Sequence, residues 1–118
     1  MGGGLFTGKY TSQSKPDEGR LVQNQMYMKR YGVDFYYEVA EKFTQHAKDK
    51  GVHPATLAVA WVLHNPAVTA PIIGARNVAQ LEASLAAVDV AMTDAWWNEI
   101  AAMSYAPPPP TDRLEEQK

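Results

Sequence analysis

Residues 55–63 are apolar at every position but Thr56, and this run constrains the chain more than any other feature. Pro54 stands in front of it, with its backbone already set for a first helical position. Asn65-Pro66 stops it. The stretch is predicted to be a helix, and a helix apolar all round must be covered on most of its sides. A chain of 118 residues, 46% hydrophobic and 20% charged, has the composition of a soluble globular protein and the length for one modest domain.

The other elements follow from periodicity and end signals. Asp34 is expected to cap a helix in which Tyr36, Val39, Ala40, Phe43 and Ala47 share one face. Lys48 and Lys50 fall in its last turn, where the dipole favours cations, and Gly51 ends it. Residues 68–73 read as the one convincing strand, short and β-branched, with Pro71 arguing against a central paired position. Asn77 with Gln80 has the spacing of a capping box, opening a helix whose expected inner face is Leu81, Leu85 and Val88. Thr93 with Asp94 starts a last helix, with Trp97, Ile100 and Ala101 as its buried side.

The chain thus divides into a glycine-rich start and long loop over 1–33, a helical core over 34–106 and a proline-rich, charged tail over 107–118. Four glycines stand in the first eight residues, and Lys15-Pro16-Asp17-Glu18-Gly19 is a turn signal. A long loop of this kind is either functional or a disordered start. Residues 107–110, all proline, favour an extended left-handed conformation.

Several classes are excluded. A net charge of −2 provides no basic field for wrapping nucleic acid. The absence of cysteine rules out a disulfide framework or a thiolate metal site. Gly2, Gly3 and Gly4 stand where a secretory signal needs basic and apolar residues, and the apolar runs fall short of a membrane span. A cytoplasmic location is the expectation.

Chemistry can reside in two segments. Gly74-Ala75-Arg76-Asn77 with Gln80 lies between the expected strand and a helix N-terminus. Unpaired amides and the positive dipole end favour an anion there, and Arg76 can fork onto a phosphate. An ordinary turn with a surface arginine is the alternative. The second segment, Gly2 to Lys9, lacks the spacing of a Walker loop and is otherwise a flexible end. Of the histidines, His46 is expected to be solvated, His53 to mark a helix boundary and His64 to be a satisfied polar group. None has the partner spacing of a metal site or a triad.

Taken together the two segments resemble a known family. Gly3-Gly4-Leu5-Phe6-Thr7-Gly8-Lys9-Tyr10 is similar to the loop after the seventh barrel strand of aldo-keto reductases. Ile72-Ile73-Gly74-Ala75-Arg76-Asn77 with Gln80-Leu81 is similar to their segment at the eighth strand. Lys50-Gly51-Val52, Pro54-Ala55, Leu57-Ala58 and Trp61-Val62-Leu63 resemble a linker between helices of that family, and Thr111-Asp112-Arg113 its ending. The resemblance runs from Gly2 to about Asp112.

It implies the C-terminal fragment of a (β/α)8 TIM barrel, mainly α with one short strand, from an NADP-dependent oxidoreductase of aldehydes and ketones. Barrels of this type often build a phosphate site from the loops after strands seven and eight. By resemblance Gly2, Gly3, Thr7, Gly8 and Lys9 line the diphosphate and nearby ribose, and Arg20 closes over it. Gly74, Ala75 and Arg76 hold the adenosine 2′-phosphate, with Gln80 at the adenine end. The family usually has an acid and an asparagine where Ala83 and Ser84 stand, of which Ser84 keeps one hydrogen bond. The Tyr, Lys, Asp and His that serve proton transfer in the family lie upstream of any segment matched here, so no catalytic residue is assigned.

A lone strand and an all-apolar helix leave surfaces uncovered. The isolated chain is therefore expected to be helical and to self-associate as a homo-oligomer. Besides an idle fragment, a module that binds nucleotide without turnover and a purely interacting helical protein are the competing readings.

Overall fold

The computed structural model describes residues 2–8 and 34–104. Lys9, Arg20, the rest of the long loop and the tail from residue 105 lie outside the described residues. Among the described residues a 3-10 turn, Gly2–Thr7, is followed by four helices: α1 (Asp34–Asp49), α2 (Pro54–His64), α3 (Val78–Leu85) and α4 (Asp94–Ala101). A second 3-10 turn, Ala86–Asp89, continues directly from α3.

The apolar helix α2 is the spine. One side carries Leu57, which is fully buried, into a core with Phe43, Ala47 and Ile100. Its other side carries Val59 and Ala60 against Ala87, with Ile73 and Val90 packed around them. Met92 touches both clusters. Burial on two sides explains why the sequence lacks a polar stripe here, and each fully covered Leu or Val stabilises by about 1.5–3 kcal/mol. Coverage thins at the C-terminal end, where Val62 and Leu63 are exposed.

Local signals set the helix ends. At the end of α1, Gly51 adopts φ 69°, the left-handed region that a Cβ disfavours. The N–H of Val52 donates to the Ala47 carbonyl and that of Gly51 to Lys48, at 2.9 and 3.0 Å. This double bond pattern satisfies carbonyls that the helix leaves orphaned. At the start of α2, Pro54 needs no acceptor, and His53 Nδ1 accepts from the Ala55 N–H at 3.1 Å. Thr93 caps α4 by accepting from the Trp96 N–H at 3.1 Å. Asp34 is the first residue of α1, and its carboxylate there suits the positive dipole end. Tyr37 joins the buried face, whereas Tyr36 is only half-buried.

Two expectations are corrected. Residues 68–73 form no strand, and no strand occurs among the described residues. A strand is stable only when a neighbour takes up its backbone groups; Pro71 removes one donor, and Ile72 projects fully into solvent. The inner face of α3 is also different. Leu81, Leu85 and Val88 are exposed, while Ser84 and Ala87 are buried. The Thr56 hydroxyl donates to the Ala83 carbonyl, which turns the small-residue side of α3 toward α2. Small side chains allow that close approach, and leucines would hold the helices apart.

Candidate functional site

The corner from Gly74 to Gln80 is built by two hydrogen bonds. Asn77 is extended (φ −150°, ψ 169°), and its side-chain oxygen accepts from the Gln80 N–H at 2.9 Å. Gln80 Oε1 in turn accepts from the Arg76 N–H at 2.9 Å. In a regular capping box that second bond returns to the cap residue itself. Here it lands one residue earlier, on the backbone of the arginine. The Asn77 amide thereby loses that acceptor, and among the described residues it has none, nor do the amides of Val78 and Ala79 in the first turn of the helix. Three consecutive donors at a helix start, with the positive end of the dipole behind them, favour an anion.

The flanking residues are open. Gly74, Ala75, Arg76 and Gln80 are all exposed, and a Cβ placed on Gly74 would meet nothing within 4 Å. Ser84 is set apart from them: it is 4% exposed, on the face of α3 turned toward α2. The structure therefore groups Gly74, Ala75, Arg76 and Gln80 on one solvent-facing corner and places Ser84 inside.

The glycine-rich turn is assembled differently. Gly4 and Gly8 have φ of 95° and 85°, values that favour glycine. The Thr7 hydroxyl donates to the Gly4 carbonyl and closes the turn on itself. Phe6 anchors it, edge-on to Phe43 with ring centroids 5.1 Å apart. Gly8 sits between α1 and α2, where an added Cβ would lie 3.5 Å from both Thr44 and Pro54. Gly8 and Ala83 thus meet α2 in its first turn, at Pro54 and Thr56. Arg76 lies two residues before the first residue of α3, beyond the end of the helix that is farther from Ala83.

The histidines are committed to contacts. His53 is the N-cap of α2, at the boundary expected of it. His64 Nε2 lies 2.7 Å from Asp94 Oδ1 and ties the end of α2 to the start of α4. His46 departs from expectation: it is half-buried, and its Nε2 accepts from Trp96 Nε1–H at 2.8 Å. Lys50 lies over the same indole, 5.9 Å from the ring centre. The His46–Trp96 pair joins residues 50 apart, so no local pattern announces it. Among the described residues no group of His, Asp and Glu is arranged to hold a metal ion. No helix there is long and apolar enough to cross a membrane.

Residues 1–104 match the Aldo/keto reductase family. Over 93 residues the chain is 32% identical to an aldo-keto reductase of Babesia bovis, covering 72% of this chain and 30% of that protein. A probable voltage-gated potassium channel subunit beta of Arabidopsis thaliana is 33% identical over 92 residues, 76% of this chain and 28% of that one. The uncharacterized oxidoreductase YrpG of Bacillus subtilis is 48% identical over 52 residues, 44% of this chain and 16% of its own. The matched part thus spans from 16% to 30% of the length of these relatives. With the match extending over most of its length, the chain belongs to the aldo/keto reductase family.

Proposed function

We propose that this chain supplies the nucleotide-phosphate part of an NADP(H)-dependent aldo-keto reductase, as the closing segment of a (β/α)8 barrel. The observation that carries the reading is the brace from Gln80 to the Arg76 backbone. It holds the arginine beside three amide donors that have no acceptor among the described residues. An adenosine 2′-phosphate seated there would take the Arg76 guanidinium as a two-pronged donor and the amides of Asn77, Val78 and Ala79 as neutral ones. Gly74 and Ala75 leave room for its approach. Gly2, Gly3, Thr7 and Gly8, with Lys9 and Arg20, would line the diphosphate. When bound, the cofactor supplies the hydride for carbonyl reduction.

The proposal assigns this chain binding and not proton transfer. We assign it no catalytic residue, because the family's Tyr, Lys, Asp and His fall on strands that precede the matched segments. The 118-residue chain is therefore expected to be inactive toward carbonyls by itself.

Tryptophan emission from Trp61, Trp96 and Trp97 offers a direct test under NADPH titration. The expected result is saturable quenching that weakens about 10- to 100-fold in Arg76→Ala, the scale of a lost charged hydrogen bond, and that is weaker with NADH, which lacks the 2′-phosphate. Quenching that never saturates, or that survives Arg76→Ala unchanged, defeats the reading. So would NADPH oxidation with a simple aldehyde that disappears on mutating a residue of this chain.

A further inference from the structure

The histidines use their ring nitrogens in different ways, and two of them decide how α4 is attached. An indole N–H donates and never accepts. The 2.8 Å bond from Trp96 Nε1 to His46 Nε2 therefore requires that Nε2 carry no proton. His46 in this contact is a neutral imidazole with its hydrogen on Nδ1. His64 stands the other way round. Its Nε2 faces the Asp94 carboxylate at 2.7 Å, so the ring nitrogen donates there, and a protonated ring donates more strongly. Asp94 and Trp96 both belong to the first turn of α4.

We infer that the attachment of α4 is sensitive to pH: protonation of His46 releases Trp96 from α1, while Asp94, two residues away, stays bound to α2. Imidazole changes charge between about pH 5 and 8. The tie to α1 is present above that range and is lost as the pH falls through it, because the added proton occupies the acceptor atom. The tie between His64 and Asp94 keeps its hydrogen bond and gains an ion pair over the same range. The Trp61–Trp97 clasp also joins α2 to α4, and neither indole titrates. Ile100 holds α4 in the core beside Phe43, Ala47 and Leu57. Acid therefore opens one edge of the helix and leaves the rest seated.

The charges nearby do not reverse this. Among the described residues, Lys42 on α1 and Lys50 just after it lie one turn before and one turn after His46. Lys50 Nζ is 5.9 Å from the centre of the Trp96 ring, and Asp49 accepts from the Gln45 side chain. Besides Asp94, α4 carries Glu99, exposed and three residues beyond Trp96. The ionisable side chain of α2 is His64, and Gly2–Thr7 has none. The dipole at the end of α1 favours a cation at His46 and Lys50 opposes one, so the two fields offset each other and the occupancy of Nε2 decides. His53 also accepts through a bare nitrogen, from the Ala55 N–H. The response is accordingly read at Trp96 itself and not from overall stability.

Nuclear magnetic resonance of the isotope-labelled chain tests this, with the Trp96 indole N–H assigned by Trp96→Phe. At about pH 8 the His46 ring should show the Nδ1–H tautomer. Between about pH 8 and about pH 5 the protection factor of the Trp96 indole N–H should fall at least about fivefold, the scale of one lost hydrogen bond. His46→Gln supplies an acceptor that does not titrate and should keep the change within about twofold. His46→Phe should give the acid value throughout. Asp94→Asn tests the second tie: the α4 backbone protection that it removes should be at least about threefold larger at the acid end, where the ion pair is formed. An Nε2–H tautomer of His46, a Trp96 indole indifferent to pH, or an equal response in His46→Gln overturns the inference. So does an Asp94→Asn loss of the same size at both ends of the range.

Discussion

Trp61 and Trp97 clasp each other: their rings stack with centroids 5.4 Å apart and planes 14° from parallel, and each indole N–H donates to the other's backbone carbonyl at 3.0 Å. The pair joins α2 to α4 across 36 residues of sequence. It sits beside the His64–Asp94 bond, with the His64 ring 6.3 Å from Trp97. Stacking and reciprocal hydrogen bonds use the two characters of the side chain, a large apolar plane and one polar edge.

Removing one member of this clasp should loosen α4. Trp61→Phe keeps a ring for stacking and loses one bond, and is expected to cost about 1–2 kcal/mol. Trp61→Ala loses both and should cost about 3 kcal/mol. Urea melts followed by far-UV circular dichroism measure both. A loss under about 0.5 kcal/mol for Trp61→Ala, the size of an ordinary surface change, would show that the clasp does not hold the helix.

Gly51 isolates a backbone effect. Its φ is 69° and an added Cβ would touch nothing within 4 Å, so Gly51→Ala changes strain without changing packing. The expected destabilisation is about 1 kcal/mol. Gly51→Asn should cost less, because asparagine tolerates the left-handed region better. Thermal melts that rank alanine and asparagine equally would contradict this account.

Thr56 decides which face of α3 is buried. Its hydroxyl donates to the Ala83 carbonyl, 27 residues on, and Thr56→Val keeps the shape while removing the donor. We expect a loss of about 1–2 kcal/mol, with Thr56→Ser close to the parent. Amide hydrogen exchange should show protection falling most in α3. Uniform loss across α1 to α4 would mean that the bond is not specific to that contact.

Gln80 separates bracing from binding. Gln80→Ala removes the acceptor of the Arg76 N–H and should lower both stability and NADPH affinity. Gln80→Glu keeps an acceptor at the same place and adds a charge favourable to the helix dipole. It should preserve stability while lowering affinity below that of Gln80→Ala, because the carboxylate repels a phosphate. Finding that Gln80→Glu binds NADPH as well as the parent would remove the phosphate from this corner.

Much of this architecture was legible in the residues alone. Pro54, Gly51, the Asn77–Gln80 pair and Thr93 each mark a helix end where one occurs, and the glycine-rich and Arg76 segments carry the family resemblance. The apolar run 55–63 correctly foretold a helix covered on most sides. The strand over 68–73 was not legible, because β-branched residues state a preference that only a neighbouring strand can satisfy. The burial of α3 was misread for a related reason. Its leucines form a regular apolar row, but the contact that forms in this chain is made by Ala83, Ser84 and Ala87.

What the sequence determined by itself is where helices begin and end, since those choices are made by hydrogen bonds between residues two to five positions apart, such as Ala55 to His53 and Val52 to Ala47. What only the tertiary structure decided is which surfaces meet: Trp61 with Trp97, His46 with Trp96, and Thr56 with Ala83. The reason is physical. A cap is satisfied within its own turn, whereas burial is a property of two surfaces, and the partner of each lies tens of residues away along the chain.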